Sequence, residues 1–449
     1  MKNSTLLEVS KEATFYMNED VNLSKALKHF FGFDQFKGDQ EAIIRNVLAG
    51  NDTFVLMPTG GGKSLCYQLP SLIMPGTAIV ISPLIALMKN QVDVINGLSE
   101  DDGVAHYLNS SLNKSAIEKV KEDILSGKTK LLYVAPESLT KEDNVDFLKT
   151  VKISFYAVDE AHCISEWGHD FRPDYQRIVR VLDTFAKDLP ILATTATAND
   201  RVVNDIKQQL GSNILIQRGT LVRKSLKLQN ITMPTQSMRL AWIATTTLSL
   251  HGSGIIYVMT KRDSELVTKW LQKNGISSCA YHADLSATEK TELEQKLIAN
   301  DSKVLVATIA LGMGFDKPDL AFVIHYQRPA SVVHYYQQVG RAGRAVDEAY
   351  GILLHGDEDE RISEYFIRNA FPTREIISNI LNALKESEEG LSTTELQKAI
   401  NVRYGKLEQA LRYLSLENPA PVEKLDRKWQ ATKTADFYHV NEAKIEQIT

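Results

Sequence analysis

Cysteine is nearly missing from this chain: Cys66, Cys163 and Cys279 are the three in 449 residues, and they lie far apart. Three thiols cannot build a disulfide framework or a four-thiolate zinc site, so no zinc is expected and the usage fits a reducing compartment. Long apolar runs are missing too, and none approaches the roughly eighteen residues of a membrane span. The first twenty residues hold Glu8, Lys11, Glu12, Glu19 and Asp20, which leaves no room for the apolar heart of a secretory leader. A cytoplasmic protein without a membrane partner is the expectation. Basic residues show no excess: 51 Lys and Arg against 56 Asp and Glu give a net charge of −5. Affinity for nucleic acid must then come from a local positive stripe, not from the chain as a whole. There is no internal repeat of fixed period and no low-complexity segment, which removes repeat arrays from consideration.

What is present is ordinary for a globular protein. Hydrophobic residues make up 43% and charged residues 24%, in a length that suits two or three domains. Short β-branched segments alternate with segments of helical spacing across two stretches. In the first, strands are predicted at Thr53–Met57, Thr77–Ser82, Lys130–Ala135, Ile153–Val158 and Pro190–Ala196. In the second they are predicted at Gly254–Thr260, Ser277–His282, Lys303–Thr308, Leu320–Tyr326 and Ala349–His355. Each is apolar on both faces, as parallel strands buried between helix layers are. Gln40–Ala49 illustrates the intervening helices, with Ile43, Ile44, Val47 and Leu48 on one stripe and Gly50 closing it. The two α/β sheets should meet within Gly219–Ser237. From about Phe371 the character changes: Arg374–Lys385, Thr393–Ile400 and Gly405–Leu416 read as short helices, and Val422–Thr432 as a two-stranded wing. That is the outline of a winged helix, a duplex-binding module. A helical appendage packed on the rest is the alternative reading. Residues 1–24 give no signal.

The densest chemistry follows the first strand. Met57-Pro58-Thr59-Gly60-Gly61-Gly62-Lys63-Ser64 runs from that strand into a helical stretch starting at Leu65. Strand, glycine loop, Lys-Ser and helix form the arrangement a phosphate-binding loop needs. The glycines turn backbone N–H groups toward phosphates, Lys63 adds positive charge, and the Ser64 hydroxyl can ligate Mg²⁺. Met57 stands where the strict spacing wants glycine, so this is a shortened variant. Further on, Ile153–Val158 ends in Asp159-Glu160-Ala161-His162. Carboxylates at that strand end supply what the loop lacks, a Mg²⁺-holding group and a base for water. Together the two segments predict nucleoside triphosphate hydrolysis.

Three further segments narrow the reading. Cys163-Ile164-Ser165-Glu166-Trp167-Gly168-His169-Asp170-Phe171-Arg172-Pro173 directly follows the acidic pair. Ala307-Thr308-Ile309-Ala310-Leu311-Gly312-Met313-Gly314-Phe315-Asp316-Lys317-Pro318 and Gln337-Gln338-Val339-Gly340-Arg341-Ala342-Gly343-Arg344 lie in the second stretch. With Ser82-Pro83-Leu84-Ile85-Ala86-Leu87-Met88, the set resembles superfamily 2 helicases, and more narrowly the RecQ family of DNA helicases, from about Phe30 to His355. The resemblance implies an α/β fold of two tandem RecA-like parallel-sheet domains, at 25–225 and 226–370. An extension at 1–24 would precede them, and the small helical, winged-helix domain at 371–449 would follow. It also implies ATP-driven, 3′-to-5′ translocation on single-stranded DNA with duplex unwinding, in recombination and repair. Tailed duplex DNA would be the partner, ATP and Mg²⁺ the cofactors, and a monomer the working state.

Carried over residue by residue, the resemblance assigns roles. Phe33, Lys37 and Gln40 match the adenine-recognition segment: Gln40 offers a donor and an acceptor to the base edge, and Phe33 a stacking face. Core packing is the alternative for Phe33 and Phe36. Thr59, Gly60, Gly61, Gly62, Lys63 and Ser64 hold phosphates; Ser64 and Asp159 hold Mg²⁺; Glu160 positions or deprotonates the attacking water. Arg341 and Arg344, three apart on an expected helix, share a face, and one of them is the arginine finger. Gln337, one turn earlier, would reach the same phosphate. Trp167, His169, Phe171 and Arg172 would stack on and bond to bases, unless the aromatics seal a domain interface. Asn109, Ser110 and Thr308 would touch the DNA backbone, although a turn role is equally open for Asn109. Thr194, Thr195 and Thr197 look like the hydroxyl motif linking the two sheets, and His162 would bridge to the threonines or to Gln337.

The chain also departs from the family pattern. No cysteine follows Cys279, so the four-cysteine zinc module of many relatives is not expected. Phe33 replaces a tyrosine, Lys37 an arginine, Asn90 an aspartate, Asp284 a glycine, Leu311 a phenylalanine and Gln338 a glutamate. Ala345-Val346 replace Asp-Gly. None removes a catalytic group. Competing readings are an ATP-dependent translocase or remodeller with weak or no unwinding, an RNA helicase, and a catalytically weak DNA-binding module.

Overall fold

The computed structural model describes residues 22–83, 85–98, 103–109, 112–139, 141–165, 182, 189–220, 222–312, 315–356, 359–360, 362, 373–387, 389–417 and 419–439. They form two compact units, divided between Gly356 and Asp357.

The first unit holds two parallel sheets. Sheet one contains β1 (Thr53–Leu56), β2 (Thr77–Ile81), β3 (Ala105–Leu108), β4 (Leu131–Val134), β5 (Ile153–Val158), β6 (Ile191–Thr195) and β7 (Leu215–Arg218), ordered β3-β4-β2-β5-β6-β1-β7. Sheet two contains β8 (Leu226–Thr232), β9 (Gly254–Tyr257), β10 (Ser278–Tyr281), β11 (Val304–Ala307), β12 (Phe322–His325) and β13 (Ala349–His355), ordered β10-β11-β9-β12-β13-β8. Neighbouring strands run parallel in both sheets. All ten predicted strands are present. Three were not predicted: β3, β7 and β8. Each is an edge strand with partly buried or exposed residues along it, so the two-faced apolar signature that finds the inner strands is weak in it. β8 reads Leu-Lys-Leu-Gln-Asn-Ile-Thr and is largely exposed. It lies inside the stretch read as the boundary between sheets, so the chain crosses over between Arg218 and Leu226.

Helices cover both faces of each sheet, as the apolar sides of the strands require. On one face of sheet one, Phe54, Ile79, Leu132 and Tyr156 pack with Val202 and Ile206; on the other, Val55, Val80 and Phe155 pack with Ile43, Val47 and Tyr67. The helix Gln40–Leu48 forms where its stripe predicts, and Gly50 follows with φ 81°. Sheet order is what builds the site. β6 alone separates β1 from β5, so the loop after β1 and the carboxylates after β5 emerge side by side at the carboxyl ends of the strands.

The second unit contains the helices Arg374–Lys385, Thr393–Ile400 and Tyr404–Leu416 and a small antiparallel sheet. Its strands, β14 (Leu391–Ser392), β15 (Val422–Leu425) and β16 (Lys428–Ala431), are ordered β14-β16-β15. Ser392 and Glu395 form a reciprocal cap on the middle helix. Ile377, Ile380, Leu396, Leu407, Leu411, Val422 and Trp429 share one buried core. Among the described residues, no helix is long and apolar enough to cross a membrane.

Candidate active site

A cleft of about 530 Å³ opens between the ends of the two sheets. One wall carries Phe33, Lys37, Thr59, Gly60, Gly62, Lys63, Ser64, Asp159 and Glu160; the other carries Asp316, Gln337, Arg341 and Arg344. Residues nearly 300 positions apart in sequence, Ser64 and Arg344 for example, thus face one cavity.

The loop after β1 turns through left-handed backbone at Gly60 (φ 76°) and Gly62 (φ 80°), a region where a side chain costs about 1–2 kcal/mol. Ser64 precedes the helix Leu65–Ile73, whose N-terminus therefore points into the cleft. Lys63 Nζ donates to the Met57 carbonyl at 3.3 Å, which leaves further donors for a phosphate. Gln40 turns inward. It is 3% exposed; its Nε2 donates to the Gly62 carbonyl at 3.0 Å and the Gly61 carbonyl at 3.3 Å, and its Oε1 accepts from the Lys37 N–H at 2.8 Å. Here the amide braces the glycine loop. Phe33 is 56% exposed at the cleft and stacks on Phe31, whereas Phe36 packs against the cluster of Leu23, Leu27 and Ile44.

Across the loop, Asp159 is buried and accepts from Thr194 Oγ1 at 2.9 Å and from the Glu160 N–H at 3.0 Å. Burial, and then the neighbouring Glu160 charge, push its carboxyl well above the usual range, against the pull of Lys63. A buried, under-neutralised carboxylate is what a divalent cation relieves. The Thr59 hydroxyl is also buried without a hydrogen-bond partner. These residues fit a Mg²⁺–triphosphate: Ser64 and Asp159 toward the metal, Lys63 and the loop amides toward the phosphates. Glu160 adopts φ 50°, a strained conformation for a non-glycine residue of the kind that clusters at active sites. His162 is fully buried; its Nδ1 lies 2.8 Å from Thr195 Oγ1 and 3.3 Å from Glu160 Oε2. The histidine thus joins the acidic segment to the threonines of β6.

The arginines separate. The helix Val332–Val339 ends before them at Gly340, so Gln337 is helical while Arg341 and Arg344 sit in the turns beyond. The expectation of two arginines on one helical face is corrected accordingly. Gly340 and Gly343, the latter with φ 75°, stop the helix. Arg341 is 6% exposed, and its guanidinium donates to the carbonyls of Phe315 and Gly312 at 2.9 and 2.8 Å. Arg344 instead pairs with Asp316 at 2.7 Å and lies against the glycine loop, where a Cβ on Gly60 would stand 3.2 Å from its Cγ. Burial lowers the affinity of its guanidinium for the proton and Asp316 offsets this. Asp316 lies in a segment singled out by sequence, yet nothing in the pattern marks it as the partner of Arg344. Arg223, in the crossover between sheets, also touches the loop and was not foreseen.

Comparison with known proteins shows the family. The model for DEAD/DEAH box helicases matches residues 37–206, and that for the helicase conserved C-terminal domain matches 239–346. The probable ATP-dependent DNA helicase RecS of Bacillus subtilis is 36% identical over 371 residues, spanning 82% of this chain and 74% of that protein. The chain belongs to the RecQ family of superfamily 2 helicases. ATP-dependent DNA helicase RecQ of Haemophilus influenzae is 37% identical over 82% of this chain and 59% of its own length. For RecQ-like DNA helicase blm-1 of Caenorhabditis elegans the figures are 39%, 76% and 36%. This RecQ-family chain thus spans between about a third and three quarters of those relatives' lengths. Among solved structures, the DEAD-box helicase Mss116 bound to single-stranded RNA superposes with a TM-score of 0.63 at 16% identity, covering 90% of each chain. The helicase MrfA bound to DNA superposes with 0.62 at 19% identity, covering 93% of this chain and 64% of that one. At such identities the likeness shows the two-sheet fold alone.

The remaining expected DNA contacts of the RecQ-family chain fall in two groups. Asn109 and Thr308 follow β3 and β11 at the same strand ends as the cleft, and both are buried, at 4% and 8% exposure. Asn109 Nδ2 lies 3.9 Å from Met88 Sδ, and Thr308 Oγ1 accepts from the Ala310 N–H. Ser110, Trp167, His169, Phe171 and Arg172 lie outside the described residues.

Proposed function

We propose that the chain is an ATP-dependent DNA helicase that moves 3′ to 5′ along single-stranded DNA and separates tailed duplexes in recombination and repair. It would act as a cytoplasmic monomer. The observation that carries this reading is the cleft, where a glycine loop and an acidic pair on one sheet face Gln337, Arg341 and Arg344 on the other. The two halves of a hydrolytic site thus lie on two sheets, and turnover is tied to their spacing.

In this mechanism the adenine sits against Phe33 and Lys37, while Gln40 reports on the base through the loop it braces. Lys63 and the loop amides hold the phosphates. Ser64 and Asp159 would hold Mg²⁺, which when bound would supply neutralising charge to the phosphate oxygens. Glu160 orients the attacking water and takes its proton. Arg344, already beside the loop, supplies positive charge as the terminal phosphate leaves, an effect worth roughly 10³–10⁵ in rate. Arg341 shapes the turn that carries it. Trp167, His169, Phe171 and Arg172 would engage bases, with stacking worth about 1–3 kcal/mol per base. The second unit, with three helices and a β hairpin, would serve as a winged helix on the duplex.

Strand separation with ATP and Mg²⁺ on 3′-tailed, 5′-tailed and blunt duplexes tests the proposal, with Lys63→Ala as control. Unwinding of the 3′-tailed DNA alone is expected. ATP turnover without separation would replace the helicase by a translocase or remodeller, and turnover that survives Lys63→Ala would remove the assigned site.

A further inference from the structure

Arg223 lies in the crossover between β7 and β8, outside every motif found in the sequence. Its Nη1 donates to two carbonyls of the second sheet's loop, Gly340 at 2.9 Å and Ala342 at 2.6 Å. Its Nη2 donates to the carbonyl of Thr59 in the glycine loop of the first. A Cβ on Gly60 would meet Arg223 Nη2 at 3.3 Å and Arg344 Cγ at 3.2 Å, so the two arginines flank the same glycine. The Gly340 and Ala342 carbonyls follow the C-terminus of the helix Val332–Val339, where unsatisfied acceptors and the helix dipole favour a cation. The Thr59 carbonyl belongs to the glycine loop that lines the cleft and that the reading above assigns to the phosphates. One planar guanidinium therefore spans both halves of the cleft, with its donors fixed in a single plane.

We infer that Arg223 is a positioning residue that sets the register of Arg344 against the phosphate loop by bonding the backbone of that loop and of the turn that carries Arg344. This rests on the ATPase reading above. Arg223 touches neither the phosphates nor the water; it acts through the turn that carries Arg344. Binding of nucleotide to the first sheet alone does not need it, whereas stabilisation of the departing phosphate does. Misplacing a reacting group by about 1 Å can cost on the order of 10²-fold in rate.

The test uses the full chain carrying Arg223→Ala, Arg223→Lys, Arg344→Ala or both substitutions. Steady-state turnover is measured together with affinity for a fluorescent ADP, with and without aluminium fluoride as a mimic of the phosphate in flight. Arg223→Ala should lower kcat by roughly 10- to 100-fold while KM and ADP affinity stay within a few-fold. The extra affinity conferred by aluminium fluoride should disappear. Arg223→Lys should not rescue, because an ammonium has no rigid fork to bridge the two loops, and it carries the test if the alanine variant does not fold. In the Arg344→Ala background Arg223→Ala should cost little more, since one acts through the other. Full additivity, unchanged kcat, or a parallel loss of ADP affinity and melting temperature would overturn the assignment and leave the ATPase reading intact. A wild-type chain without turnover and without response to aluminium fluoride would overturn both.

Discussion

Replacing Gly62 by alanine probes the phosphate loop at its tightest point. Gly62 holds φ 80°, and a Cβ there would overlap Gln40 Nε2, the atom that donates to the Gly61 and Gly62 carbonyls. The backbone contribution is about 1–2 kcal/mol for a side chain in left-handed geometry. Driving the buried amide off its two carbonyls adds about 0.5–1.5 kcal/mol for each bond. The free loop of the variant will relax away from this shape, and nucleotide must force it back. The combined penalty of about 2–5 kcal/mol then appears in binding, as a loss on the order of 30- to 5,000-fold in affinity. Fluorescent ADP binding measures it directly, with thermal melting as the check that the fold survives. Because part of the penalty comes from Gln40, the double variant with Gln40→Ala should bind better than Gly62→Ala alone. ADP affinity within threefold of wild type, or a double variant that is fully additive, would refute the account of the loop.

Three other outcomes follow from the geometry. Arg344→Ala should lower kcat by roughly 10³-fold or more with little change in urea midpoint, whereas Arg341→Ala, which strips the Phe315 and Gly312 carbonyls of a buried donor, should also cost about 2–3 kcal/mol of stability. Equal stability of the two variants would remove the distinction. His325 is buried between Tyr257 and Tyr335 and bonds Gln338 at 2.7 Å, and burial lowers its pKa from 6.5 to about 4. A lowered folded pKa means that its contribution is fully present above pH 6.5 and is lost as pH falls through about 4, by at most about 3 kcal/mol. His325→Gln should flatten that part of the stability profile, and an unchanged acid limb would count against it. Trp167→Ala should keep basal ATP turnover but lose stimulation by DNA and unwinding; normal unwinding would make the aromatic segment interface filler.

The sequence by itself determined the elements whose chemistry is local. A glycine loop between a buried strand and a helix works through its own backbone, so Gly60 to Ser64 declare themselves in one line of residues. Buried parallel strands declare themselves likewise, because both their faces must be apolar. The edge strands β3, β7 and β8 do not, since their composition is set by the water beside them. Only the tertiary structure decided what depends on side-chain direction across long separations. Asp159 meets the loop because β6 alone lies between β5 and β1. Gln40 faces the loop carbonyls because its helix packs beside them. Arg341 and Arg344 look interchangeable as a spacing of three; the helix stop at Gly340 sends one into backbone carbonyls and the other to the cleft. Arg223 carries no pattern at all. Its place is set by the crossover between the sheets, and a donor that bonds two distant backbones leaves no periodic trace in the chain that supplies it.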